Sequence, residues 1–187
     1  MQSRTIPDPL TWHLFLPLTI DLIATYVSEI EAQVERGIAE YQSGEGTTIV
    51  PILDDDDSGD TVAIHKGIHS GLWDLRSIFE SYLPNLQRRS ALITLFSFLE
   101  SELDRLCDRI RVYEQNALEL SDITDKGIMR ATTYLIKVGG LPNVRNCKNW
   151  QEIKNIQAIR NLIVHSEGRL PSSSPRRAYP LAVRRTH

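Results

Sequence analysis

"SALITLFSFLESELDRLCDRIRVYEQN", residues 90–116, carries the clearest periodicity in the chain. Leu92, Phe96, Leu99, Leu103, Leu106 and Ile110 recur at steps of three and four, which lays them along one side of an α-helix. With Glu100 at zero on a helical wheel, Ile93, Phe96, Leu103 and Cys107 fall within about 60° of it. A carboxylate therefore stands in the middle of an apolar stripe.

The same pattern continues on both sides. Upstream, Ile20, Ile23, Val27, Ile30, Val34, Ile38 and Tyr41 mark an amphipathic helix that starts near Pro17 and Thr19. Residues 8–16 read as a short separate helix. Residues 67–83 read as another helical stretch, with Leu72, Leu75, Ile78, Phe79 and Tyr82 apolar, and Pro84 restarts the chain. Downstream, "SDITDKGIMRATTYLIKVGG" offers Ser121 or Asp122 as an N-cap and Gly139-Gly140 as a stop. A last helix is expected from about Asn149 to Ser166. Residues 43–66 read as a long acidic loop, and 171–187 as a basic Ser/Pro/Arg-rich tail. The expected fold is all-α, an up-and-down bundle of four to five helices in a single domain, 1–170.

Composition bounds the function. The chain has 187 residues, near-average apolar content and a net charge of −3, which fits a folded domain rather than a disordered chain. From Arg145 onward it holds nine Lys/Arg and two Asp/Glu, so the acidic excess lies upstream. That asymmetry points to an anionic partner near the C-terminal part, or merely to a solvated basic tail. No stretch has the uninterrupted length of a membrane span, since His13, Pro17 and Asp21 break "LTWHLFLPLTIDLIATYV". No leader pattern opens the chain, and Cys107 and Cys147 show no CxxC spacing. The expectation is a cytoplasmic protein with no membrane partner.

Two metal patterns fall short. Asp54, Asp56, Ser58 and Gly59 stand like the front of a calcium loop, but His65 holds the position where a bidentate glutamate is needed. His65 and His69 have i, i+4 spacing with neither an intervening glutamate nor a third ligand. Both are read as surface histidines, and neither a metal nor any other cofactor is expected.

The second anomaly lies in "NIQAIRNLIVHSEGRL", residues 155–170. With Arg160 at zero, Ile153, Ile156, Ile163 and Val164 lie within about 60°, so a guanidinium also stands mid-face. Asn161 and His165, i and i+4, lie together on one edge of that face. The bland reading is a buried Arg160–Glu100 ion pair, because unpaired buried charge is costly. The functional reading is a groove or dimer seam in which arginine meets phosphate and histidine handles protons. Both stay open on spacing alone.

"IRNLIVHSEG" resembles the Arg-Asn-x-x-x-His signature of HEPN domains, with Arg160, Asn161 and His165 at its fixed positions. "LFSFLESELDRLC" resembles the family's earlier acidic helix, which Glu100 would match. The similarity covers about residues 85–170. It implies a dimerising helical bundle with a composite cleft, and in many members a metal-independent endoribonuclease of toxin–antitoxin or defence systems. On that resemblance Arg160 binds the phosphate, His165 is acid and base, Asn161 orients the ring or holds a phosphate oxygen, and Glu100 completes the site. Lys154 and Arg169 flank it as contacts to RNA. The implied partners are RNA, a second copy, and an antitoxin if the chain is a toxin. Some members instead serve as non-catalytic binding modules. One departure stands out: Glu167 occupies the position of a tyrosine that partner nucleotidyltransferases modify in some HEPN toxins.

Overall fold

Helices dominate the computed structural model, which describes residues 9–51 and 60–166. Chain order is α1 (Pro9–Ser43), β1 (Thr47–Pro51), β2 (Thr61–His65), β3 (Ile68–His69), α2 (Leu75–Ser77), a π-helical turn (Ile78–Tyr82), α3 (Leu83–Tyr113), α4 (Gly127–Lys137) and α5 (Trp150–Ser166). Short 3₁₀ turns at Leu120–Asp122 and Val144–Asn146 precede α4 and α5. The described residues divide into two compact units: 9–26 with 91–166, and 27–51 with 60–90. Both α1 and α3 contribute to each.

The expectation of a wholly α-helical chain needs correction. β1, β2 and β3 form an antiparallel sheet in that order, with Thr47 opposite His65 and Ile64 opposite His69. Two of these strands stand where a long loop was expected. Their sequences, "TTIVP" and "TVAIH", are rich in the β-branched residues that suit a pleated surface. Lys66 and Gly67 join β2 to β3 with φ of 48° and 79°, the two positive values that a tight I′ hairpin turn requires. The Lys66 ammonium is 2.6 Å from the Glu40 carboxylate on α1. The four aspartates of the calcium-like stretch lie outside the described residues.

Two prolines fail to end helices. α1 runs through Pro17, so residues 9–16 are not a separate helix. Around Pro84 the backbone widens instead of breaking. A proline at this point would drive its ring into the carbonyl four residues back, on Glu80. The preceding turn is π-helical, and the Leu83 N–H bonds the Ile78 carbonyl five residues back, which relieves that crowding. The stretch expected to be helical from 67 begins only at Leu75, capped by the Asp74 side chain on the Ser77 N–H.

The first unit has its core between α3 and α4. Cys107, Ala131, Tyr134 and Leu135 are buried, with Leu103, Leu106, Ile110 and Val138 packed around them. The Tyr134 hydroxyl donates to the Leu118 carbonyl at 2.9 Å. In the second unit Val34, Val62, Leu75 and Phe79 are buried. His65 is buried with them, at 0 % exposure, which corrects its reading as a surface residue. Its ring meets Phe79 edge-on at 4.4 Å and Tyr41 at 5.3 Å, and its Nδ1 lies 2.8 Å from the Thr47 hydroxyl. His65 pairs with Ile68 and Ile64 with His69, so the two histidines point to opposite faces and cannot share one metal. No helix of the described residues is long and apolar enough to cross a membrane.

Candidate functional site

α5 starts at Trp150, where its N–H bonds the Cys147 carbonyl at 3.0 Å, and carries the expected motif to its last turn. No α5 residue with a described side chain is fully buried. Ile156, Ile159 and Val164 are exposed. The face centred on Arg160 is therefore only half-covered. Ile153 and Ile163 take the intermediate positions beside it.

The Arg160–Glu100 pair of the bland reading is present, though partly exposed rather than buried. An Arg160 Nη2 lies 3.7 Å from Glu100 Oε2, with the two side chains 25 % and 26 % exposed. At 3.7 Å the contact is an ion pair without a hydrogen bond. The guanidinium also lies over the Phe96 ring, 5.7 Å from its centroid, within reach of a cation–π attraction. Its Nη1 donates to the Asn161 side-chain oxygen at 3.0 Å. Its buried Nε–H meets no acceptor among the described residues. An arginine has five N–H donors in a planar fork, and here one makes a hydrogen bond among the described residues. Phe96 and Asn161 fix the plane of the group while leaving most of its donors unspent.

Asn161 is thus tied to the arginine rather than to the histidine. His165 is exposed in the last turn of α5. It stands five residues beyond Arg160, about 7.5 Å along the axis and 140° around it. No hydrogen bond or ion pair joins it to Arg160, Asn161 or Glu100 among the described residues. Lys154 is exposed on α5, one turn and a half before Arg160. Arg169 and Glu167 lie outside the described residues.

Sequence reasoning missed Gly127, the first residue of α4. Its φ is +52°, and a Cβ built there would lie 2.6 Å from Glu100 Oε1. The signal available was a lone glycine just inside a helix start, where glycine is an unusual choice.

Cys107 offers no nucleophile at this site. Cys107 is buried, and its thiol donates to the Ala131 carbonyl at 3.5 Å. Burial, with Asp104 nearby, pushes its pKa up to about 12, the wrong direction for a reactive thiolate. No group of three or more His, Cys, Asp or Glu side chains among the described residues is placed to hold a metal ion.

Comparison with protein-family models, curated proteins and solved structures finds no match for the chain.

Proposed function

We propose that the chain is a HEPN-like, metal-independent endoribonuclease. In this reading the 2′-hydroxyl of RNA attacks the adjacent phosphate. Arg160 binds the phosphate and offsets the charge that develops on it. His165 transfers protons to and from the ribose oxygens, the general acid–base work an imidazole can do with its two ring nitrogens. The P–O5′ bond breaks as the 2′-O–P bond forms, and the leaving 5′-oxygen takes a proton, so the products are a 2′,3′-cyclic phosphate and a 5′-hydroxyl.

One observation carries the reading: a positioned, half-buried guanidinium that, among the described residues, spends a single hydrogen bond, on its own neighbour Asn161. Such a fork matches a phosphate's paired oxygens. The exposed His165 at the end of the same helix is accessible to a large polymeric substrate. Because His165 stands apart from the arginine cluster, the reading assigns the working cleft to two copies meeting across α5. The exposed Ile156, Ile159 and Val164 supply apolar surface for that contact. Lys154 and Arg169 then contact the RNA backbone. A toxin or defence role with an antitoxin partner belongs to the same reading and rests on the motif resemblance alone.

Purified protein incubated with total RNA in EDTA tests the proposal. Cleavage is expected from the wild type and not from His165→Ala or Arg160→Ala. Cleavage that persists in both variants removes the assignment. The second reading is a non-catalytic binding module, favoured by the separation of His165 from Arg160. It predicts RNA retention without cleavage in the wild type.

A further inference from the structure

We infer that Glu100 is a built-in competitor for Arg160, its carboxylate holding the place of an incoming oxyanion, with Gly127 as the seat that keeps it there. The inference rests on the proposed function only in equating that oxyanion with an RNA phosphate.

Three features of the site support it. First, Glu100 does not fix the guanidinium's orientation. Its Oε2 stands 3.7 Å from Nη2, too far for a hydrogen bond. The orientation comes from Asn161 and from the Phe96 ring. Glu100 therefore supplies charge rather than position. Second, the carboxylate has a place of its own. A Cβ on Gly127 would lie 2.6 Å from Oε1 and 3.8 Å from Cδ. That difference is about one carbon–oxygen bond, so the bond points almost straight at the first residue of α4. The N–H groups of a helix's first turn favour a nearby anion, and Lys126 at the N-cap provides no side-chain cap there. Third, the competition is unequal. A half-buried arginine without any counter-charge is costly, so the free protein keeps Glu100 beside it. A phosphate that accepts a hydrogen bond from Nη2 offers what Glu100 withholds at 3.7 Å. On arrival of that anion the carboxylate loses only a loose contact and keeps its seat against α4.

The test is a titration of the full chain with inorganic phosphate, followed by the NMR resonance of the Arg160 Nε–H. Wild type, Glu100→Gln, Glu100→Ala, Arg160→Met and the Glu100→Gln/Arg160→Met double variant are compared, with thermal unfolding as the check on folding. Removing the competing charge is expected to tighten phosphate binding about two- to fivefold, the scale of a partly exposed ion pair. The alanine variant covers the case in which glutamine refits the seat poorly. With Arg160→Met in place, where overall phosphate affinity is read from ³¹P shifts, Glu100→Gln is expected to have no effect. Unchanged or weaker binding in both single Glu100 variants overturns the inference, because Glu100 would then be neutral or a positioning group. RNA cleavage is measured in parallel. A wild type that cuts RNA while the Glu100 variants bind phosphate no more tightly refutes the competitor alone. A wild type that does not cut RNA, with tighter phosphate binding in the variants, refutes the nuclease reading alone.

Discussion

Arg145 and Arg160 belong to the same unit and use their guanidinium groups in opposite ways. Arg145, in the 3₁₀ turn before α5, donates from Nε to the Thr132 hydroxyl at 3.1 Å. From Nη2 it reaches the Met129 carbonyl at 3.0 Å and the Thr133 hydroxyl at 2.5 Å. The Thr133 hydroxyl donates in turn to an Asp125 carboxylate oxygen at 2.6 Å. That arginine is a clamp between the turn and α4, and its donors are committed to the fold. Among the described residues Arg160 makes one hydrogen bond, to Asn161, and holds its acidic partner 3.7 Å away. A structural arginine closes its donors on the protein, whereas one placed for a ligand leaves them open. The sequence singled out Arg160 by its place mid-face on an apolar helix, but it did not show which donors either arginine spends on the fold.

The largest effect expected from breaking this contrast is on catalysis. His165→Ala is expected to lower the cleavage rate by about 10²–10⁴-fold, the usual worth of a general acid–base group. Arg160→Ala is expected to cost about 10²–10³-fold, like the loss of one oxyanion donor. Melting temperatures of both variants are expected to stay close to wild type, because His165 is exposed and Arg160 makes few bonds. The reverse holds for Arg145→Met. Losing its charged hydrogen bonds is expected to cost about 2 kcal/mol of stability, read as a lower midpoint in urea, while the folded fraction still cuts RNA.

A smaller effect sharpens the Arg160 side of the comparison. Replacing both charges, Arg160→Met with Glu100→Leu, is expected to change stability by less than about 1 kcal/mol, since an apolar pair can replace a partly buried ion pair. The same double variant is expected to be inactive. Retained ribonuclease activity in it would mean that the pair is only structural.

The smallest effect concerns the closed core next to the site. A thiol reagent at pH 8 is expected to label Cys147 alone in the native protein, and Cys107 as well in denaturant. Burial raises the Cys107 pKa from 9.0 to about 12. The unfolded thiol ionises first, so this group's contribution to stability is complete below pH 9 and lost as pH rises from 9 toward 12. Cys107→Ala is expected to flatten that part of the pH–stability curve.

The helices were legible where apolar steps of three and four are long, as in α3 and the later part of α1. The last helix was legible to within one residue of its start. The meeting of Glu100 with Arg160 was also legible, because two opposite charges at mid-face need each other. Local patterns hid the rest. The strands flank a run of aspartates and glycines, so "TTIVP" and "TVAIH" were absorbed into a loop despite their β-branched content. His65 reads as polar, yet the hairpin turns it onto Phe79 and Tyr41. Helical periodicity placed Ile156 and Val164 beside Arg160 correctly, but angle on a wheel does not say whether another element covers that face. Gly127 mattered only through space, as the gap that admits a carboxylate from another helix.

The central claim is that the open guanidinium of Arg160 and the imidazole of His165 cut RNA without a metal. The most direct measurement is the chemistry of the ends left on a defined RNA by the purified protein in EDTA. The account predicts fragments with 2′,3′-cyclic phosphate and 5′-hydroxyl ends from the wild type, and intact RNA from Arg160→Ala and His165→Ala. Intact RNA from the wild type, or the same fragments from both variants, would contradict it.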